Sequence, residues 1–149
     1  PITEFVTGID LVKQQISIAD GNPLPMKQED IVLRGHAIEC RINAESPEHG
    51  FRPSPGKITA LHTPGGPGIR IDSSAYQGYT ITPYYDSMIA KLIAYAPTRE
   101  EAIAKMKWAL SEFIVEGVDT NIDFQLGLIC DPVFNEGSYD IGYLGRKMK

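Results

Sequence analysis

Apolar and polar residues alternate with period two over residues 34–45, setting His36, Ile38, Cys40 and Ile42 on one side and Ala37, Glu39, Arg41 and Asn43 on the other. The pattern predicts a half-buried strand of the antiparallel kind. Residues 57–62 and 69–72 are shorter strand candidates, and 87–95 is a longer, more apolar one. Helical spacing flanks them. Thr7 is placed to cap a helix through Ile9, Val12, Ile16 and Ala19, with Gly21 to end it. Thr98 and Glu101 make a capping box for a helix over 98–116 whose inner side is Ile103, Met106, Leu110, Phe113 and Ile114, stopped by Gly117. A third helix starts after Thr120, turns Ile122, Leu126 and Ile129 inward, and ends before Pro132, which has no amide hydrogen to continue it. A last helical turn follows Asp140. Strands in the middle and helices at the ends imply an α+β fold, a mainly antiparallel sheet with flanking helices.

Composition narrows the classes. With 149 residues, 42% hydrophobic and 22% charged, the chain is long enough for one packed unit and too apolar for disorder. A net charge of -5 supplies none of the clustered positive charge that phosphate backbones or anionic lipids demand, so neither nucleic acid nor membrane is an expected partner. Cys40 and Cys130 stand far apart with no ligand-spaced neighbours, which predicts a reduced, cytoplasmic chain and no metal site. No apolar run approaches the roughly 20 residues needed to cross a bilayer. Pro1 in place of Met predicts that upstream sequence has been cut away.

Arg41 is the first candidate for chemistry. It sits mid-strand on the polar face between Glu39 and Asn43, and a stiff strand can aim a planar guanidinium at a carboxylate, phosphate or enolate oxygen. The plainer reading is a surface ion pair with Glu39 or Glu45, worth about 1 kcal/mol or less. Thr82-Pro83-Tyr84-Tyr85-Asp86-Ser87 is the second, because it leads into the apolar strand: Asp86 could hold a cation or orient a donor, and Tyr85 could give a hydroxyl or an aromatic wall. Against that stands a proline turn whose Asp satisfies local amides. Pro64-Gly65-Gly66-Pro67-Gly68 lacks the lysine and following helix of a phosphate-binding loop and reads as a tight hairpin connection. His36, on the apolar face, reads as a hydrogen-bonded core residue, and His49 and His62 have no nucleophile partner.

Several strings in order carry a resemblance. Residues 34–45, Pro53-Ser54-Pro55-Gly56-Lys57-Ile58, Pro64-Gly65-Gly66, Tyr84-Tyr85-Asp86-Ser87-Met88-Ile89 and the opening Pro1-Ile2-Thr3-Glu4 with Thr7-Gly8-Ile9-Asp10-Leu11 resemble the C-terminal domain of the biotin carboxylase family. The match spans residues 1–149, with 1–20 beginning as the end of the preceding ATP-grasp region. The resemblance implies an ATP-dependent ligase: ATP and bicarbonate form carboxyphosphate, and the carboxyl group passes to a ureido nitrogen of biotin on a carrier protein. The residues that hold ATP and Mg lie in the absent upstream part, so the fragment alone is expected to be inactive.

By the same resemblance Arg41 matches the arginine that stabilises the ureido enolate and contacts bicarbonate, with Tyr85 and Asp86 beside that pocket and Asp86 orienting Arg41 or biotin. Ile141 matches a position that packs on the adenine of ATP, although Gly142 departs from the polar residue common next to it. Arg70 matches a charged residue of the homodimer interface, where Pro67 replaces an aromatic of some members. The implied partners are the biotin carboxyl carrier protein, carboxyltransferase subunits and a second copy. The wording around Arg41 is most similar to the subunit of bacterial-type acetyl-CoA carboxylase that opens fatty acid synthesis; the equivalent subunit of a pyruvate or other acyl-CoA carboxylase, and a pure dimerisation module, are the alternatives.

Overall fold

The computed structural model describes residues 1–148. Two helices open the chain, α1 (Ile2–Thr7), which the spacing does not predict, and α2 (Leu11–Ala19), which it does. Gly8 ends α1 by taking a left-handed φ of 75°, and Asp10 rather than Thr7 caps α2 by accepting from the Lys13 amide at 2.9 Å. Neither helix contributes a buried residue, so the apolar side formed by Leu11, Val12, Ile16 and Ile18 faces outward.

The strands follow: β1 (His36–Asn43), β2 (Glu45–Ser46), β3 (Arg52–Pro53), β4 (Gly56–Lys57), β5 (Ala60–His62), β6 (Ile69–Ser73), β7 (Thr80–Ile81) and β8 (Met88–Ala96). After them come α3 (Arg99–Glu112), β9 (Ile114–Glu116), α4 (Ile122–Cys130), α5 (Pro132–Glu136) and α6 (Tyr143–Lys147). An antiparallel sheet of order β1-β8-β6 is the frame, joined by the two-stranded ribbons β2-β3, β4-β7 and β5-β9. The α+β expectation holds. The strand foreseen over 57–62 is two strands with different partners. The 63–68 link is therefore no hairpin, since β5 pairs with β9 and β6 with β8; instead Lys105 pins it by donating to the carbonyl oxygens of Pro67 (2.9 Å) and Tyr95 (3.2 Å).

Alternation sorts the sheet into two faces. Ile38, Cys40 and Ile42 of β1, Ala90, Leu92 and Ala94 of β8, and Ile69 and Ile71 of β6 pack against Ile103, Met106, Ala109 and Leu110 of α3. Leu92 and Met106 are wholly inaccessible. Each side chain of that size stabilises the fold by roughly 1.5–3 kcal/mol through water removed from its surface. The opposite face is polar and carries α1, where Phe5 stacks on Tyr95 with ring centroids 5.7 Å apart.

Helix α3 ends four residues before the predicted stop, because Ile114–Glu116 leaves the helix to pair with Ala60–His62. Gly117 follows that strand at φ 97°, pressed so closely on the Lys57 carbonyl that a Cβ would collide with it. Pro132 ends one helix and also opens the next, since its missing amide hydrogen costs nothing in a first turn, and the Asp131 side chain accepts from the Val133 amide at 2.8 Å.

Burial has a chemical consequence at the cysteines. Surrounded by the core and next to Glu39, the Cys40 thiol is pushed up to about 12, whereas Cys130 is exposed. Because the thiolate is the reactive form, iodoacetamide at pH 8 is expected to label Cys130 alone in the folded chain and both cysteines in denaturant, as read by peptide mass spectrometry.

Candidate functional site

The polar face of the sheet gathers charge in two rows. Cross-strand register sets Arg41 of β1 opposite Lys91 of β8 and Lys91 opposite Asp72 of β6; one step along, Glu39, Ile93 and Arg70 form the second row. Arg41 is well exposed, and its Nε lies 3.6 Å from Glu39 Oε1, a long contact that leaves the rest of the guanidinium free to meet an anion. Both alternatives open at Arg41 thus share one geometry: the ion pair exists, and it is loose.

The backbone beneath Arg41 is held firmly. Asn121, buried at the start of α4, accepts from the Asn43 amide at 2.9 Å through its side-chain oxygen and donates from its side-chain nitrogen to the Arg41 carbonyl at 3.0 Å. Its own amide donates to the Asn43 carbonyl at 3.2 Å. One asparagine thereby closes the free edge of β1 as a neighbouring strand would, and fixes the segment from which Arg41 projects. Sequence reasoning missed this residue; its only signal is an asparagine just ahead of an apolar helix, which reads equally well as a helix cap.

The second candidate corner lies just before β8. Asp86 Oδ1 accepts from the Met88 amide at 2.8 Å, the turn-type bond of the plainer reading, and makes no contact with Arg41; the expected orienting bond between the two is not formed. Tyr85 is 86% exposed, with its hydroxyl and ring free of the core. What joins this corner to β1 is Glu45, whose Oε1 accepts from Ser87 Oγ at 2.5 Å and from Asn43 Nδ2 at 3.2 Å. Tyr85 and Asp86 line a small polar hollow of about 150 Å³ with Thr82 and Ser74.

The remaining sequence candidates lie apart from it. Ile141 is fully exposed at the rim of an apolar cleft of about 290 Å³ walled by Leu128, Ile129, Phe134, Tyr139 and Leu144. Glu39, Gln125, Asp140 and Tyr143 add polar groups to the lining, which holds no lysine or arginine. Arg70 is engaged by its own chain: Asp72 takes it in two hydrogen bonds of 2.7 and 3.0 Å, Glu4 lies 3.7 Å away, and Phe5 sits beneath it. The Arg70 hydrogen bond holds the Asp72 carboxyl below the usual range. Among the described residues no group of three His, Cys, Asp or Glu side chains is placed to bind a metal ion.

Helix α6, which borders the cleft, is latched by Lys147 and Tyr143 to Asp131. Those hydrogen bonds, led by that from Lys147, hold the Asp131 carboxyl at about 2 against its ordinary 3.8. A depressed carboxylate stabilises the folded form above its unfolded value and loses that contribution as pH falls through the folded one. In an acid titration followed by NMR, the latch is expected to persist at pH 4 and open as pH approaches 2.

The model of the biotin carboxylase C-terminal domain matches residues 39–146, which include most of β1, all of β8, Asn121 and the cleft. The chain belongs to that family. It is 56% identical to biotin carboxylase 1 of Bacillus subtilis over 97% of its own length, covering 32% of the relative. To a pyruvate carboxylase subunit from Methanothermobacter thermautotrophicus it is 55% identical, over 92% of this chain and 28% of the relative. The biotin carboxylase domain dimer of Hydrogenobacter thermophilus 2-oxoglutarate carboxylase, solved with MgADP, ADP and bicarbonate, superposes with a TM-score of 0.95 at 48% identity, over 98% of this chain and 32% of that one. The chain spans about a third of the length of the curated relatives it matches. Relatives named for different carboxylases thus resemble this chain at nearly equal identity.

Proposed function

We propose that this chain is the C-terminal part of a biotin carboxylase, which carboxylates carrier-bound biotin with ATP and bicarbonate, and that it contributes Arg41 to the active site. The single observation behind this reading is the loosely paired, exposed guanidinium on a strand whose edge Asn121 locks. A ureido nitrogen is a poor nucleophile until negative charge on the neighbouring carbonyl oxygen is stabilised, and pre-oriented donors do this without reorganising during the reaction. Arg41 would take that oxygen, with Tyr85 and Asp86 bordering the ring. Biotin brings the nucleophilic nitrogen, and this chain brings the cation and its rigid mount. ATP would meet the chain only through the apolar surface at Ile141, and Mg not at all.

Residues 1–20 would begin as the end of the preceding ATP-grasp region: α2 buries nothing in the core and the family model begins at Glu39, although α1 rests on the sheet through Phe5 and Tyr95. With the residues for ATP and Mg placed by the family resemblance outside this chain, the fragment alone would be inactive. A homodimer with Arg70 near the contact, service to an acetyl-CoA carboxylase in fatty acid synthesis, the carrier protein and carboxyltransferase as partners, and a cytoplasmic location complete the proposal; no helix of the described residues is long and apolar enough to cross a membrane.

The test is Arg41→Ala in the full-length protein, read by biotin-dependent ATP hydrolysis and by sedimentation. Lost carboxylation with dimers retained supports the reading. Full activity with dimers retained would leave this domain a pure assembly module.

A further inference from the structure

Two aromatic walls of the cleft beside Ile141 are held by a clamp that lies outside it. Arg99, half-buried and the first residue of α3, reaches across to α5. Its Nη1 donates to the Asn135 carbonyl at 2.6 Å and its Nη2 to the Phe134 carbonyl at 2.5 Å, and the guanidinium carbon lies 5.1 Å from the centre of the Phe134 ring. Both carbonyls stand in the last turn of α5, where no later amide of the helix reaches them and a cation is favoured. At its own end the same cation is misplaced, because a helix N-terminus carries partial positive charge and suits acids such as Glu100 and Glu101. The local disadvantage at Arg99 is thus offset in α5. Further along α3, Lys107 donates to Asn135 Oδ1 at 3.1 Å, and the side-chain nitrogen of Asn135 donates in turn to the carbonyls of Ile129 (2.9 Å) and Asp131 (2.6 Å). Tyr139 stacks on the Phe134 ring with centroids 5.4 Å apart. Ile129, Phe134 and Tyr139 are all walls of the cleft.

We propose that Arg99 is a positioning residue for the nucleotide: it holds the α5 turn so that Phe134 and Tyr139 keep the shape of the surface on which the base of ATP lies. The inference deepens the reading that ATP meets this chain at Ile141, and rests on it. Arg99 does not line the cleft and acts only through the backbone and the ring that it grips. Two carbonyls on successive residues match the fixed fork of a guanidinium, whereas a lysine ammonium has no such fork. Without the clamp the charge-assisted bonds to α5 are unmade, and Phe134 loses its backbone anchor together with the cation over its ring. A base held by flat apolar contact depends on how closely its walls stand, since a gap of about 0.5–1 Å forfeits a quarter to a half of the attraction at each contact. Such a gap weakens the hold on ATP and leaves bicarbonate and biotin, which the proposed function seats elsewhere, untouched.

The experiment is steady-state kinetics on the full-length enzyme, with KM measured separately for ATP, bicarbonate and free biotin. Arg99→Met should raise the KM for ATP at least about fivefold while kcat and the other two KM values stay within about twofold. Arg99→Lys should fall between Arg99→Met and the unaltered enzyme, a partial rescue by the retained charge. Circular dichroism reports that each variant folds. Were Arg99→Met to unfold, Arg99→Lys and Lys107→Met, which removes only the outer bond of the clamp, carry the comparison, each with the KM for ATP raised at least about twofold. Ile141→Asp, a carboxylate on the rim, tests the underlying reading and should raise the KM for ATP by itself. An unchanged KM for ATP in the folded Arg99 variants, with a raised one in Ile141→Asp, would overturn the role of Arg99 and leave the nucleotide surface standing. A lowered melting temperature with all three KM values rising alike would make Arg99 a tie of the fold and nothing more, which also overturns the proposal. No change in the KM for ATP in any of these variants would sink both the clamp and the nucleotide surface.

Discussion

In the full-length enzyme, Arg41→Lys is expected to slow biotin carboxylation about as severely as Arg41→Ala, by roughly 10²–10³-fold. The like-for-like charge does not rescue, because lysine is a compact, mobile point charge whereas the proposed reaction calls for flat, fixed donors meeting an oxygen that becomes negative as the neighbouring nitrogen gives up its proton. A loss of this size corresponds to about 2.7–4 kcal/mol of barrier. It should fall mainly on kcat, with the KM for biotin changed much less, since the interaction is strongest in the transition state. Steady-state kinetics with free biotin read this directly. Equal activity in the lysine variant would mean that bulk positive charge, and not a guanidinium, is what the site needs. The exposure of Arg41 on the far side of the sheet from the core makes the kinetic reading clean, because neither substitution removes buried apolar surface.

Leu92→Ala should give the largest loss of stability. Leu92 lies at the centre of the middle strand, wholly inaccessible, and belongs to the cluster in which β8 and β1 meet α3. Truncating it removes apolar transfer energy and leaves a cavity that the rigid strand cannot collapse into, at about 2–5 kcal/mol. For a domain of this size that lowers Tm by roughly 4–20 °C. Calorimetry or circular dichroism on the 149-residue chain checks it, and a shift under about 2 °C would show that Leu92 does not sit in the packing described.

The sequence makes β1 legible because period-two alternation survives wherever one sheet face is buried and the other is not. Ile38, Cys40 and Ile42 therefore fall on the core side as the alternation says, and Arg41 between them stays exposed. The Thr98 half of the α3 cap is equally local: its hydroxyl accepts from the Glu101 amide at 3.2 Å. Local pattern fails where the outcome depends on distant partners. Ile114 continues the apolar stripe of α3, yet pairing with His62 draws it into a strand, and no helical period can foretell a ladder to a segment so far back in the chain. Thr80–Ile81 are too few to show any period. Within the site, Arg41 is visible as a cation out of place on a strand. Asn121 is not, because its task is set by which strand it meets rather than by its neighbours in sequence.

That asparagine also limits how the molecule can associate. An unpaired strand edge invites another chain to add to it, and proteins that escape such pairing usually cover or interrupt the edge. With its rim at Arg41–Asn43 stitched to α4, β1 has no free ladder to offer there. At the opposite edge of the three-stranded sheet, β6 carries the tethered pair Arg70 and Asp72, a charged brake on indiscriminate strand addition.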